Sequence, residues 1–489
     1  MGIVVRQGLK NALFTYLGFI IGGVYTVLLV PKVFNSHPEH WGTARYLVSY
    51  AMILVPWAQL SLPNVIIRYF PVFKGDSRKG FMFFVLFWLM FGIGISSFII
   101  LVFSNLWFNA ETTTLILENR YLVFPIFIGF VLFEVAAAVS KSLLKSTIPV
   151  FLKEFLLRSS VMVLILLYWF NVISFNTFIH IFALNYIINF LILFSYLYYL
   201  KVLKFNINFK ILNSSRYIPL YIYAAFSILS TGAAMILLNV DTLMINHYLT
   251  LKDVAVYGPS IYIASAIIVP SRALQAIIAP VVAKGWVDNS IDLIRDLYRK
   301  SAIAPLSITI FLFLLIWINI DLVMDYFGKT FGQGKYIVLF ISLGHIVNIA
   351  TGINGTIINT SKYYKADLYF QVLLVFMTVL MNIIFIPIYG LNGAALATGI
   401  TLGVHNTLKS IYVYYKFNIH PFSVKTIYVL VVGIVLFLLI QDLPVIYNLL
   451  LSSVIYSIFV AIVYWVVVYY TNISEDVNYQ INRIFKRLF

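Results

Sequence analysis

The chain has 489 residues, 62% of them hydrophobic and 10% charged, with a formal net charge of +16 and a mean hydropathy of +0.97. Soluble domains carry closer to ~25% charged residues, so an aqueous fold is excluded and lipid must solvate most of the surface. Cysteine is absent, which removes disulfides and thiol chemistry, and the basic residues are scattered through short loops, so no nucleic-acid partner is implied.

A helix that crosses a bilayer needs about twenty mainly apolar residues. Fourteen such segments follow in order, at 11–33, 43–67, 80–104, 119–140, 155–175, 177–200 and 217–241, then at 254–281, 301–323, 336–359, 367–387, 390–416, 424–441 and 445–470. They are numbered spans 1 to 14. Met1 to Lys10 carries no small-residue cleavage site, so the first apolar run reads as span 1 and not as a removed signal peptide. Lys and Arg in short loops favour the cytoplasmic side. With the N-terminus inside, only Lys32, Arg45, Arg120, Lys252, Lys329 and Lys335 fall outside, Arg272 lies within span 8, and the other twenty-six of the 33 basic residues fall inside. A missed span would scramble that alternation. The expectation is a multi-pass inner-membrane protein with both termini cytoplasmic.

The chain reads as a diverged duplication. Span 2 begins Gly42-Thr-Ala-Arg-Tyr46, carries Val55-Pro56 and leads into Pro71-Val-Phe-Lys74-Gly75. Span 8 begins Asp253-Val-Ala-Val-Tyr257, carries Val269-Pro270 and leads into Pro280-Val-Val-Ala-Lys284-Gly285. A repeat of six spans keeps both halves in one orientation, so its axis lies along the membrane normal. The expected fold is therefore an all-α membrane protein of about 14 transmembrane helices. It has two parallel six-helix lobes, 1–206 and 207–420, plus an extra C-terminal helix pair with a cytoplasmic tail at 421–489.

Further segments carry a resemblance to a known family. They are Gly23-Val-Tyr25 in span 1, Val65-Ile-Ile-Arg-Tyr69 leaving span 2, Asn239-Val-Asp241-Thr-Leu-Met244 leaving span 7, and Pro387-Ile-Tyr-Gly390-Leu-Asn-Gly393-Ala-Ala-Leu-Ala-Thr398 opening span 12. With the span count and the repeat, these resemble the Wzx-type oligosaccharide flippases. That group is the polysaccharide-biosynthesis branch of the multidrug/oligosaccharidyl-lipid/polysaccharide (MOP) exporter superfamily, which also holds the multidrug-and-toxin extruders and the lipid II flippases. The resemblance covers residues 1–470. The last motif has a plain physical reading as well: Pro387 and Gly390 punctuate a tight turn, while Gly393, Ala394, Ala395 and Ala397 let a neighbouring helix approach.

Ionisable groups inside spans cost roughly 2.5–3.5 kcal/mol or more at a helix centre, so they mark candidate sites. Glu134 lies mid-way along span 4 and Arg272 inside span 8, with Arg68 and Asp241 nearer span ends and His345 and His405 in spans 10 and 12. Small and polar strips run along span 1 (Asn11, Thr15, Gly18, Gly22, Tyr25), span 2 (Arg45, Ser49, Pro56, Gln59, Pro63), span 7 (Ser227, Ser230, Thr231, Asp241) and span 8 (Tyr257, Arg272, Gln275). The resemblance places these four spans around a central cavity. Arg272, Arg68, Gln275, Gln59 and Tyr25 are the candidate substrate-binding residues. Glu134 and Asp241 are the candidates for coupling to an H⁺ or Na⁺ gradient. No catalytic residue, cofactor or bound metal is expected: Asp288, Asp292 and Asp296 share a helical face but are followed by Arg295 and Arg299, which reads as an interfacial helix with internal ion pairs.

The resemblance implies translocation of an undecaprenyl-diphosphate-linked oligosaccharide, an O-antigen or capsule repeat unit, by alternating access. Spans 13 and 14 would form a groove for the lipid tail. A polysaccharide polymerase and a chain-length regulator are the partners such a flippase implies. The alternative is an ion-coupled multidrug exporter of the extruder type. A membrane glycosyltransferase stands further off, because no large loop or soluble domain is present.

Overall fold

In this computed structural model the described residues are 2–107, 114–202, 217–441 and 448–471, with positions 444, 473 and 478. Every element among them is helical. Ten helices are long and apolar enough to cross a bilayer, and two bent pairs bring the number to twelve. Two more spans are concealed in that reckoning. The helix Lys365–Phe417 runs for 53 residues, but Gly390 within it has φ 59° and ψ −135°. Only glycine tolerates that region, so spans 11 and 12 meet there. The other is Thr147–Val150, Phe151–Leu156 and Leu157–Trp169, which form one uninterrupted helical run. It carries Lys153, Glu154 and Arg158, which lower its hydropathy. It is span 5, and it starts well before the expected residue 155. The chain is thus an all-α membrane protein, with fourteen spans among the described residues.

By packing, the chain divides into two compact units, Met1–Ala255 and Val256–Phe489. The expected lobe boundary at 206/207 lies outside the described residues. Span 7 (Ile218–Tyr248) groups with the first unit because it packs along spans 2 and 3. Gly232 faces the ring of Trp57, Trp88 Nε1 donates to the Tyr221 hydroxyl at 3.2 Å, and Asn64 Nδ2 lies 3.5 Å from Ser227 Oγ.

Within the first unit, span 2 is broken into Pro38–Gln59 and Leu62–Tyr69, bent by 47°. Leu60 and Ser61 sit at the break with φ of 45° and 55°, a left-handed conformation unfavourable for L-residues. Pro56 withholds a helical N–H just before it, and Pro63 pre-sets the start of the second segment. Span 8 is broken in the same manner into Leu251–Ala266 and Val269–Val287, bent by 57°, with Pro270 at the start of its second segment. The break in span 2 lies just after its proline landmark Val55-Pro56, and the break in span 8 just before Val269-Pro270.

The second unit is built around span 9, Ile291–Ile318. Spans 13 (Val424–Gln441) and 14 (Leu449–Tyr470) dock on it. Leu306, Ile310, Phe313 and Leu314 meet Val429, Leu436 and Val460 in a shared core, and Tyr464 donates to the Ser307 carbonyl at 2.7 Å. Spans 10 and 12 approach almost backbone to backbone: a Cβ on Gly344 would lie 2.7 Å from Gly399 Cα. The expected interfacial helix around residues 288–299 is not a separate element, since Ile291–Ile318 continues it directly into span 9. Its ion pairs are Arg295–Asp292 at 2.5 Å and Lys300–Asp296 at 2.9 Å, so Lys300 and not Arg299 serves Asp296.

Candidate functional site

The two arginines singled out from the sequence each ride on the segment just past a helix break. Arg68 lies on Leu62–Tyr69 and is uncovered by the protein. Its guanidinium Cζ sits 4.5 Å from the ring centroid of Tyr223 and 5.4 Å from that of Tyr69. Stacking occupies the face of the guanidinium and leaves its in-plane N–H donors free to grip an oxyanion. Arg272 lies on Val269–Val287, with Gln275 one turn further, and both are uncovered. Neither arginine has an ion-pair partner among the described residues. Arg272 is close enough to His345 of span 10 for its charge to act on the imidazole, and His345 Nδ1 is buried with no hydrogen-bond partner among the described residues.

Gln59 is the last residue before the break in span 2. It is 8% exposed, and its Nε2 has no hydrogen-bond partner among the described residues. An enclosed amide donor left unmatched costs about 1–3 kcal/mol, so the break presents an unused donor. Tyr25 lies in the π-helical turn Val24–Leu29 of span 1. Its ring meets Trp41 edge-on, with centroids 6.3 Å apart. Such turns insert one extra residue and re-aim side chains, frequently at functional sites. Asp241 is 7% exposed, near the end of span 7.

Glu134 is not an isolated carboxylate. Lys153 Nζ of span 5 donates to its Oε1 at 2.6 Å, and that ammonium also lies 5.2 Å from the Phe130 ring centroid. Next to Lys153, Glu154 pairs with Arg158 at 2.9 Å. Spans 4 and 5 therefore hold two carboxylates and two cations that cancel. Lys153 and Arg158 are among the basic residues counted as cytoplasmic, although Arg158 falls within the segment 155–175 read as span 5. The structure places them in the helix, Lys153 on the π-helical turn Phe151–Leu156.

A second interior pair escaped the sequence reading. Lys409, also counted as a loop charge, lies within span 12, is 4% exposed and binds Asp367 Oδ1 at 2.8 Å. Phe370 lies 5.9 Å from its ammonium and edge-on to the ring of His405, whose Nε2 is buried with no hydrogen-bond partner among the described residues. Tyr298, Asn354 and Ser410 continue this polar cluster, with the Tyr298 and Ser410 hydroxyls 3.1 Å apart. The available signal was Lys409 falling inside an apolar run that was itself assigned as a span.

Fourteen spans, two enclosed ion pairs and two uncovered arginines with no ion-pair partner among the described residues describe an integral membrane protein. No family model matches the sequence, and no curated protein matches it. Solved structures do. The lipid II flippase MurJ in an inward closed conformation superposes with a TM-score of 0.71 at 15% identity, covering 95% of this chain and 100% of that one. An inward-facing multidrug resistance MATE family transporter of the MOP superfamily gives 0.64 at 14% identity, covering 82% and 94%. A MATE protein in its bent conformation gives 0.55 at 13% identity, covering 85% and 95%. The chain has the fold of the MOP exporters, as its sequence motifs led one to expect.

Proposed function

We propose that the protein is a flippase that carries an undecaprenyl-diphosphate-linked oligosaccharide, an O-antigen or capsule repeat unit, across the bacterial inner membrane by alternating access. The observation that carries this reading is the pair of uncovered arginines, Arg68 and Arg272, each just beyond a helix break and with no ion-pair partner among the described residues. A diphosphate cannot be sheltered from water without cations, because an isolated enclosed charge is prohibitively costly. A guanidinium stays charged and binds phosphate oxygens bidentately. Arg68 is the group that captures the headgroup, and Arg272 holds it, with Gln275, Gln59 and Tyr25 as neutral partners for sugar hydroxyls. Spans 13 and 14, for which a twelve-span exporter has no need, support a lipid-linked substrate. The likeness to MurJ extends over 95% of the chain, against 82% for the inward-facing MATE transporter. Membrane lipids, a polymerase and a chain-length regulator are the partners this reading assigns.

Coupling to H⁺ or Na⁺ is assigned to Glu134 and Asp241. Either ion would compete with Lys153 for the Glu134 carboxylate, which gives its binding a mechanical consequence. The multidrug alternative requires a carboxylate free to meet a cationic drug, and both Glu134 and Asp367 already hold lysines. The deciding experiment is complementation of a flippase-null strain. Arg272→Ala at wild-type expression should abolish surface glycan, Arg272→Lys should give partial function, and Arg68→Ala should be strongly impaired. Full glycan export from both alanine variants would refute the diphosphate clamp, and drug resistance without glycan export would favour the alternative.

A further inference from the structure

The turn between spans 1 and 2 gathers three side chains that transport does not use. His37 lies just ahead of the helix Pro38–Gln59, and Glu39 and His40 occupy its first turn. One nitrogen of each imidazole and one carboxylate oxygen lie within 4.8 Å of one another. His37 Nδ1 is 3.2 Å from Glu39 Oε1. Two donors bound to one zinc ion at ~2.0–2.1 Å with a tetrahedral angle are about 3.3 Å apart, so this pair already spans one edge of a coordination tetrahedron. His40 is fixed from behind. Its Nδ1 meets the Tyr168 hydroxyl at 2.9 Å, and its ring stacks on Phe175 with centroids 3.8 Å apart. A hydrogen bond to one imidazole nitrogen is what commonly orients the other toward a metal, and here it leaves Nε2 for that role. The rings of His37 and His40 are 5.1 Å apart. The remaining approach falls to the two freer side chains, His37 at 62% and Glu39 at 34% exposure.

We infer that His37, Glu39 and His40 form a binding site for a divalent transition-metal ion, zinc above all, with water completing the fourth position. Two imidazoles and one carboxylate suit zinc, copper or nickel, whereas calcium and magnesium prefer all-oxygen sites. A lone ion pair between His37 and Glu39 would need neither the second imidazole nor its anchoring by Tyr168 and Phe175. The occupied site would clamp the start of span 2 to the span 5 and 6 residues that hold His40.

The test uses the full-length protein in detergent, freed of its affinity tag and stripped of metal by a chelator. Titration with cobalt(II) chloride should produce the visible absorption of a four-coordinate ion at one equivalent, and zinc chloride should displace it. His37→Ala and Glu39→Gln alter the two freer side chains of the three, and each should weaken cobalt binding about tenfold or more. His40→Ala should abolish it. His180→Ala, at a histidine bonded instead to Tyr121, should leave it unchanged. No saturable binding at micromolar metal, or binding unaltered in both His37→Ala and Glu39→Gln, would overturn the assignment.

Discussion

Replacing Lys409 with Met removes an ammonium while keeping most of its aliphatic stem. Lys409 Nζ lies 2.8 Å from Asp367 Oδ1, and the two side chains are 6% and 18% exposed. At an effective dielectric constant of ~20 that separation gives a gross attraction of about 6 kcal/mol, most of which offsets the desolvation of the two charges. The substitution measures something else. It strands the largely enclosed Asp367 carboxylate without its counter-charge, and breaking an enclosed pair this way costs about 3–5 kcal/mol. Lys409→Met combined with Asp367→Leu removes both charges and should return to within about 1 kcal/mol of the parent. Equilibrium unfolding of the purified protein in mixed SDS and dodecylmaltoside micelles gives all four corners of the cycle. The expected coupling is at least ~2 kcal/mol. A value below ~0.5 kcal/mol, the range of exposed pairs, would refute the view that this bridge holds span 11 to span 12.

Glu134→Gln keeps shape and hydrogen-bonding capacity but frees Lys153, and glycan export should fall while the protein level holds; normal export would leave Glu134 a packing residue. Gly344→Val places side-chain atoms where Gly399 Cα would lie 2.7 Å from the new Cβ, and should cost about 1–3 kcal/mol or more, seen as a lower melting temperature; an unchanged melt would contradict the close approach of spans 10 and 12. Gln59→Leu removes an unmatched enclosed donor, so stability should hold or rise by up to ~1 kcal/mol while transport falls; intact transport would remove Gln59 from the substrate path. Reporter fusions at Asn213 and Asn289 should read cytoplasm and fusions at Asn109 and Lys329 periplasm, Asn109 and Asn213 lying outside the described residues; one reversed site breaks the orientation.

Most spans were legible because a bilayer imposes one length and one composition on each, and the 53-residue helix yielded to Pro387 and Gly390. What misled was charge. Lys153, Arg158 and Lys409 look like loop residues when loops are defined by charge, yet each is paired in the folded protein with a carboxylate on the same or a neighbouring helix. Asp367 and Lys409 are 42 positions apart, and no local pattern announces such a partnership. Val55-Pro56 and Val269-Pro270 flagged both bent spans. The hinge of span 2 nevertheless falls later, at Leu60 and Ser61, two residues with no preference for positive φ. The π-helical turns under Tyr25 and Lys153 were invisible, since a single extra residue in a helix changes neither hydropathy nor composition. Arg68 and Arg272 were visible, though not that neither has an ion-pair partner among the described residues.

The cancelled charges of span 5 bear on how the chain is made. Lys153, Glu154 and Arg158 would each add roughly 2.5–3.5 kcal/mol to inserting this helix alone, a burden that its Leu and Ile residues at about −0.3 to −0.6 kcal/mol each do not clearly outweigh. Glu154 and Arg158 are matched within the helix, but Lys153 finds its carboxylate only on span 4. Lys153 is thus matched only when spans 4 and 5 lie side by side, so the pair makes the two helices an energetic unit in the membrane.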